Sequence, residues 1–299
     1  MALVGTISCR RMPLSEPKFH HYVSNFYLKG FAAEDRKKKH AIQVFDKFEL
    51  KTFEKRTDKT GGAKNFNRSF SKADPNSVEK LYSYAVEEPA GAALKKVLQS
   101  KSLSSREDLE RLLLFFAMTT ARNPKQRSML EAPMRQLDGL LIRSALGDDG
   151  NDILKKRNSR NLFSEEHVGM ELPLIEPIFD SLCSKSWAIL EAGDDAGEFV
   201  TSDFPLQIAT ANEDPPWGFE SPGATIFVPL SKNLAILGQS GSLKASKLIL
   251  DKTMVASFNF GTLVNAHRNI FFKTDDFLIL DCDSSCVLDG REFFRKCIG

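Results

Sequence analysis

Apolar side chains near the start of the chain fall at Phe19, Tyr22, Val23, Phe26 and Tyr27. This is the i, i+3, i+4, i+7, i+8 spacing of one helical face. Ser15 can cap such a helix, Pro17 suits its first turn and Gly30 can end it. The pattern therefore predicts a helix over 15–30. Neighbouring helical residues diverge by about 100°, so His20 and His21 would flank the stripe rather than chelate one metal ion. Residues 41–45 and 50–53 then alternate apolar with polar and predict a hairpin with its turn at 46–49. Gly61-Gly62 lacks the lysine and hydroxyl residue of a phosphate loop and reads as a turn.

Helical spacing returns over 77–98, with Pro89 and Gly91 placed to kink or split the element. Ser104-x-x-Glu107 is a capping box leading into a helix over 109–122, which Asn123-Pro124 ends or bends. A further helix spans 126–146 and runs through Met129, Pro133, Leu137, Leu140 and Leu141, before a polar break at 147–156. A helix beginning at 174 leads into a strand at 186–190. Strands are expected at 198–202, 206–210, 225–228 and 234–237, a helix at 245–266, and last strands at 270–272 and 277–280. Helices and strands are segregated rather than alternating, which predicts an α+β fold. Its parts are an N-terminal helix and β-hairpin, a central helical bundle over about 75–185, and a β-rich half over 186–299 with a late helix. We expect 18–299 to form one unit and 1–17 to be a disordered tail.

A hydrophobic content of 42% in 299 residues supports a core without disulfide staples. The 23 phenylalanines make that core strongly aromatic. The net charge of +2 is too small to imply nucleic acid by itself, although basic residues gather between 36 and 64. Cys9, Cys183, Cys282, Cys286 and Cys297 are scattered. Cys282-x3-Cys286 lacks a second ligand pair for zinc, and reduced thiols in a cytoplasm fit the spacing best. The longest apolar run, 112–121, is too short to span a bilayer, so no membrane association is expected.

The segment 18–28 concentrates two of five histidines and two of four tyrosines. Its His-His-Tyr-Val-x-x-Phe-Tyr-Leu pattern resembles the opening of the bacterial domain-of-unknown-function family 4238, with Ser24 where relatives typically have proline. The resemblance continues through Val78-Glu79 and Val86-Glu87, Thr120-Ala121-Arg122-Asn123-Pro124, Trp187, Thr201-Ser202-Asp203-Phe204-Pro205, Val228-Pro229-Leu230-Ser231 and Val264-Asn265. The family name supplies no reaction. No dinucleotide-binding glycine pattern, phosphate loop, zinc-protease helix motif or serine-hydrolase elbow occurs.

The matched segments nevertheless hold residue types suited to phosphate chemistry. His20, His21, Glu87 and Asp203 are the candidate catalytic residues, as acid, base or ligands of a divalent Mg or Mn ion. Tyr22, Arg122, Asn265 and Arg268 are the candidate ligand-binding residues. The expectation is a hydrolase of a phosphodiester or nucleotide, nuclease-like, with a bacterial defence or toxin-type effector as the analogy and nucleic acid or a nucleotide as partner. The alternative is a non-catalytic ligand-binding or sensor protein using the same cluster as a pocket or structural network.

Overall fold

A computed structural model describes residues 18–34, 40–68, 74–159, 162–210, 218–281 and 287–298. Its opening is not the helix that the aromatic spacing predicts. Phe19–His21 form a strand, β1, and helix begins only at Asn25–Leu28, α1, continued by a 3-10 turn over Lys29–Phe31. The cause is a partner remote in sequence. β1 lies antiparallel to Gly62–Lys64, with His21 opposite Gly62. The N–H groups of Tyr22 and Val23 both donate to the Gly61 carbonyl. A Cβ at Gly62 would stand 2.5 Å from the His20 carbonyl oxygen, so a side chain there would force the strands apart. Gly61 turns the chain with a φ of +65°. The glycine pair is more than a turn, because it seats the histidine strand. The expected cap Ser15 and first-turn Pro17 lie outside the described residues, as do 35–39, Cys9, Cys282 and Cys286.

Ala33–Glu34 (β2), His40–Asp46 (β3), Lys51–Arg56 (β4) and Gly62–Lys64 (β5) follow. β3 and β4 are the expected hairpin, with Asp46 opposite Lys51. Ser77–Tyr82 (α2) passes through a π-helical turn, Ser83–Glu87, into Glu88–Ser100 (α3). Pro89 sits in the first turn of α3. Without an amide proton it cannot bond the carbonyl four residues back, and the widened turn lies where that bond would be. Arg106–Ala121 (α4) is capped by Ser105, one residue past the expected cap, whose hydroxyl accepts from Asp108 N. Pro124–Leu146 (α5) is capped by Asn123. Leu137, Leu140 and Leu141 on α5 are exposed despite their helical spacing. The expected polar break at 147–156 is instead a 3-10 turn and a helix, Gly150–Ser159 (α6), before Leu162–Cys183 (α7).

The remaining elements are Ser186–Ala192 (β6), Thr201–Ser202 (β7), Gln207–Ala209 (β8), Thr225–Pro229 (β9), Leu234–Gln239 (β10), Lys247–Leu250 (β11), Lys252–Asn265 (α8), Asn269–Phe272 (β12), Leu278–Leu280 (β13), Val287–Asp289 (β14) and Gly290–Ile298 (α9). The segment expected as helix from 245 therefore starts as a strand, and Asp251 caps the helix through Met254 N. The strand expected over 198–202 is reduced to its last two residues. One five-stranded sheet has the order β11-β6-β10-β9-β8, with β11 parallel to β6; a second runs β2-β3-β12-β7, with β4 also on β3; β1-β5 and β13-β14 are two-stranded pairs. The result is a mixed α+β fold. Its largest apolar cluster joins Leu112 and Phe116 of α4 to Tyr27, to Ile226, Val228 and Ile236 of the first sheet, and to Val44 and Phe271 of the second.

Candidate functional site

Two of the expected site residues, Glu87 and Arg122, meet Ser24 where α1, the π-helical turn and the end of α4 converge, and a third, His21, lies near enough to feel both charges. Arg122 occupies the C-cap position of α4, where a cation complements the helix dipole. It is fully buried. Its Nη2 donates to Glu87 Oε1 at 2.7 Å and to Ser24 Oγ at 3.1 Å. The Ser24 hydroxyl in turn donates to Glu87 at 2.6 Å. Ser24 stands at the N-cap of α1 but makes no capping bond there, so its hydroxyl is spent on this triad. The guanidinium lies 5.1 Å from the Tyr82 ring centroid, a cation–π contact. Arg122 Nε and Nη1 have no hydrogen-bond partner among the described residues.

His21 faces the same charges. Its ring lies near the Thr57 backbone carbonyl, while Nε2 is buried without a partner among the described residues. A proton on Nδ1, turned toward that carbonyl, leaves the lone pair on Nε2. Burial pulls its pKa below the ordinary 6.5, only partly opposed by Glu87, so the ring is neutral at pH 7. The Tyr82 hydroxyl is likewise buried and unpartnered among the described residues, and burial pushes it up to about 12. Behind it, Arg127 Nε bonds Glu171 Oε1 at 2.5 Å, and the Arg127 guanidinium stacks 3.5 Å from the Phe66 ring centroid. The second oxygen of Glu171 is unpartnered among the described residues, and burial raises its carboxyl pKa despite Arg127. Buried polar groups are nearly always bonded. A gathering of open ones around a histidine, a tyrosine and an arginine can accept a proton and grip an anion.

Asp203 does not join this group. Both its oxygens are taken by backbone, from His267 N to Oδ1 and from Arg268 N and Asn269 N to Oδ2, each at 2.8 Å. It ties β7 to the chain between α8 and β12. Asn123 Nδ2 donates to the Asp203 carbonyl. Asn265 Nδ2 serves the carbonyls of Phe204 and Leu206. Arg268 pairs with Asp46 and Glu49. Asp203, Asn265 and Arg268, all expected site residues, thus hold chain segments together. His20 also turns away from His21, as strand alternation requires; it is fully buried, and its Nδ1 accepts from Asn67 N at 2.9 Å. Glu79, two turns before Glu87, takes the Asn67 side chain instead of Arg122.

Tyr22 opens onto a separate cleft of about 60 Å³ lined by Val44, Phe53, Lys55, Lys59, Asn269 and Phe271. Its hydroxyl lies near the Asn269 side chain, and burial raises its pKa. Among the described residues, no three His, Cys, Asp or Glu side chains gather as a metal ion would need. Ser24, Tyr82, Arg127 and Glu171 were not legible as site residues, because each looks ordinary in its local segment. Arg127 and Glu171 are 44 residues apart, and no spacing rule joins them.

Comparison with curated proteins finds no match, and comparison with solved structures finds none. The profile of the family described as "Protein of unknown function (DUF4238)" matches residues 20–276. That span takes in His21, Ser24, Tyr82, Glu87 and Arg122 as well as the Asp203 junction, and the chain belongs to the DUF4238 family.

Proposed function

We propose that this protein is a hydrolase of a phosphodiester or nucleotide bond, with His21, Glu87 and Arg122 at its reacting centre. The observation that carries the reading is that the open donors of Arg122 and the open Nε2 of His21 lie within electrostatic reach of each other. A guanidinium held by Glu87 and Ser24 keeps donors ready for phosphate oxygens, and its charge is preorganised for the negative charge of the transition state. Neutral His21 accepts the proton of an attacking water at Nε2. As the new P–O bond forms and the old one breaks, the leaving oxygen takes a proton from Tyr82 or from solvent. Glu87 positions Arg122 and sets the field around His21. The reading uses no metal ion.

The sensor reading draws on a different observation, the complete burial of Arg122. An enclosed guanidinium can hold a phosphate-bearing ligand without turning it over. Turnover separates the two. Wild type, His21→Ala and Glu87→Gln are incubated with nucleotides, RNA and DNA, and products are counted. His21→Ala is expected to lose roughly 10²–10⁴-fold in rate with its fold intact. Equal activity in wild type and His21→Ala would remove the histidine from the chemistry. No turnover by wild type, together with a raised melting temperature in the presence of a nucleotide, favours the sensor.

A further inference from the structure

We propose that the cleft walled by Tyr22, Phe53, Lys55, Lys59 and Asn269 binds the base and phosphate of a nucleotide, either free or at the end of a single strand. The inference deepens the phosphate reading above and rests on it for the class of ligand. Three features of the cleft point there.

The first is charge. Lys55 and Lys59 stand on its rim, and neither has an acidic partner among the described residues, whereas neighbouring Lys51 pairs with Glu49 and Arg56 with Asp58. Two unneutralised ammonium groups at one opening suit a phosphate. The second is a flat apolar wall. Phe53 is exposed at 38% on a strand otherwise made of polar and charged side chains, with the Lys55 ammonium 5.7 Å from its ring centroid. Val44 and Phe271 form the floor. Aromatic rings beside cations are the elements on which bases stack. The third is a polar edge. The Asn269 amide and Tyr22 hydroxyl lie near each other within the lining. An amide offers the adjacent donor and acceptor that a base edge reads.

The cleft adjoins the reacting centre through one segment. Thr57 lies near the His21 ring, while Lys59, Thr60, Gly61 and Gly62 line the cleft. Tyr22 is the next residue after His21. A nucleotide seated by its base in the cleft is thereby kept beside the histidine strand.

The test is calorimetry on the full chain with adenosine monophosphate, adenosine, inorganic phosphate and a single-stranded oligoadenylate as probes. The proteins are wild type, the Lys55→Ala/Lys59→Ala double variant, Phe53→Ser and His21→Ala. The monophosphate is expected to bind more tightly than adenosine or phosphate. The double variant should weaken it roughly ten- to hundredfold, and Phe53→Ser roughly tenfold through lost stacking. All three changed side chains in these variants are exposed, so melting curves should match wild type. Tighter binding of the oligoadenylate identifies a strand end as the ligand; tighter monophosphate identifies the free nucleotide. No binding of any probe to wild type overturns the assignment, as does equal affinity for monophosphate and phosphate, or an unchanged affinity in the lysine variant. Binding that weakens in His21→Ala alone would move the ligand to Arg122, overturning the cleft while leaving the hydrolase reading intact. Binding weakened by the lysine changes with no turnover by wild type would keep the cleft and end the hydrolase reading.

Discussion

At the scale of single residues, His21 and Asp203 are both polar groups in buried surroundings, but only His21 keeps an open atom among the described residues. Burial lowers the His21 pKa from 6.5. The unfolded chain therefore binds a proton at this position more readily than the native chain does. The neutral ring favours folding fully above pH 6.5, and that contribution is lost as pH falls from 6.5 through the lower native pKa. Urea midpoints at pH 7.5 and 5.5 should fall further in wild type than in His21→Gln, which carries no titrating ring; equal falls would show that the ring is not protected from protons. Asp203 has the opposite character. Asp203→Ala leaves three backbone N–H groups without their acceptor and is expected to cost about 3–5 kcal/mol in denaturant melts. A loss under about 1 kcal/mol would mean that water replaces the carboxylate and that its role at the junction is minor.

At the scale of elements, the glycine pair and two lysines decide where strands and helices sit. Gly62→Ala places a Cβ 2.5 Å from a backbone oxygen of β1, and backbone cannot rotate out of the way. A cost of about 1–3 kcal/mol is expected, together with a shift of the His21 ring resonances in NMR spectra. Unchanged resonances would show that β1 tolerates the strain without moving the histidine. Lys47 Nζ donates to the carbonyls of Leu263 and Ala266, and Lys125 Nζ to that of Asn265. Both therefore close the C-terminal end of α8, where carbonyls lack helical partners. Burial lowers the pKa of both ammonium groups. Lys47→Met should destabilise by about 1–2 kcal/mol in thermal melts, most visibly as earlier amide exchange in the last turn of α8; exchange that leaves α8 unchanged would place the loss elsewhere.

At the scale of the whole molecule, the helical and β-rich parts share an apolar interior. Phe116 of α4 is 1% exposed and packs its ring against Tyr27 and Phe115. Tyr27 reaches on to Thr201 and the Pro229 carbonyl, so one aromatic stack runs from the helices to both sheets. Phe116→Ala should cost about 3–5 kcal/mol through lost burial and a cavity. A single unfolding transition is expected to shift as a unit. A second transition appearing in the variant would show that the two parts melt separately.

What the sequence by itself determined is what short spacings encode. The β3–β4 hairpin is read from alternation, α4 from its capping box, placed one residue early, and its apolar rows, and the α+β class from the segregation of the two patterns. Arg122, Glu87 and His21 were legible as candidates, as were His20 and Asp203, because they stand in the segments that match the family. The histidine strand was not visible. Its aromatic spacing satisfies a helix, and only the approach of Gly62, more than 40 residues on, makes a strand the better solution. The partition of polar residues was equally hidden. Ser24 meets Glu87 across 63 residues and Arg122 across 98, and Asp203 meets a chain segment 64 residues later. Periodicity reports which face of an element is buried, within about two turns. Which buried polar groups find each other depends on where whole elements pack, and that is settled by the shared core rather than by any local pattern.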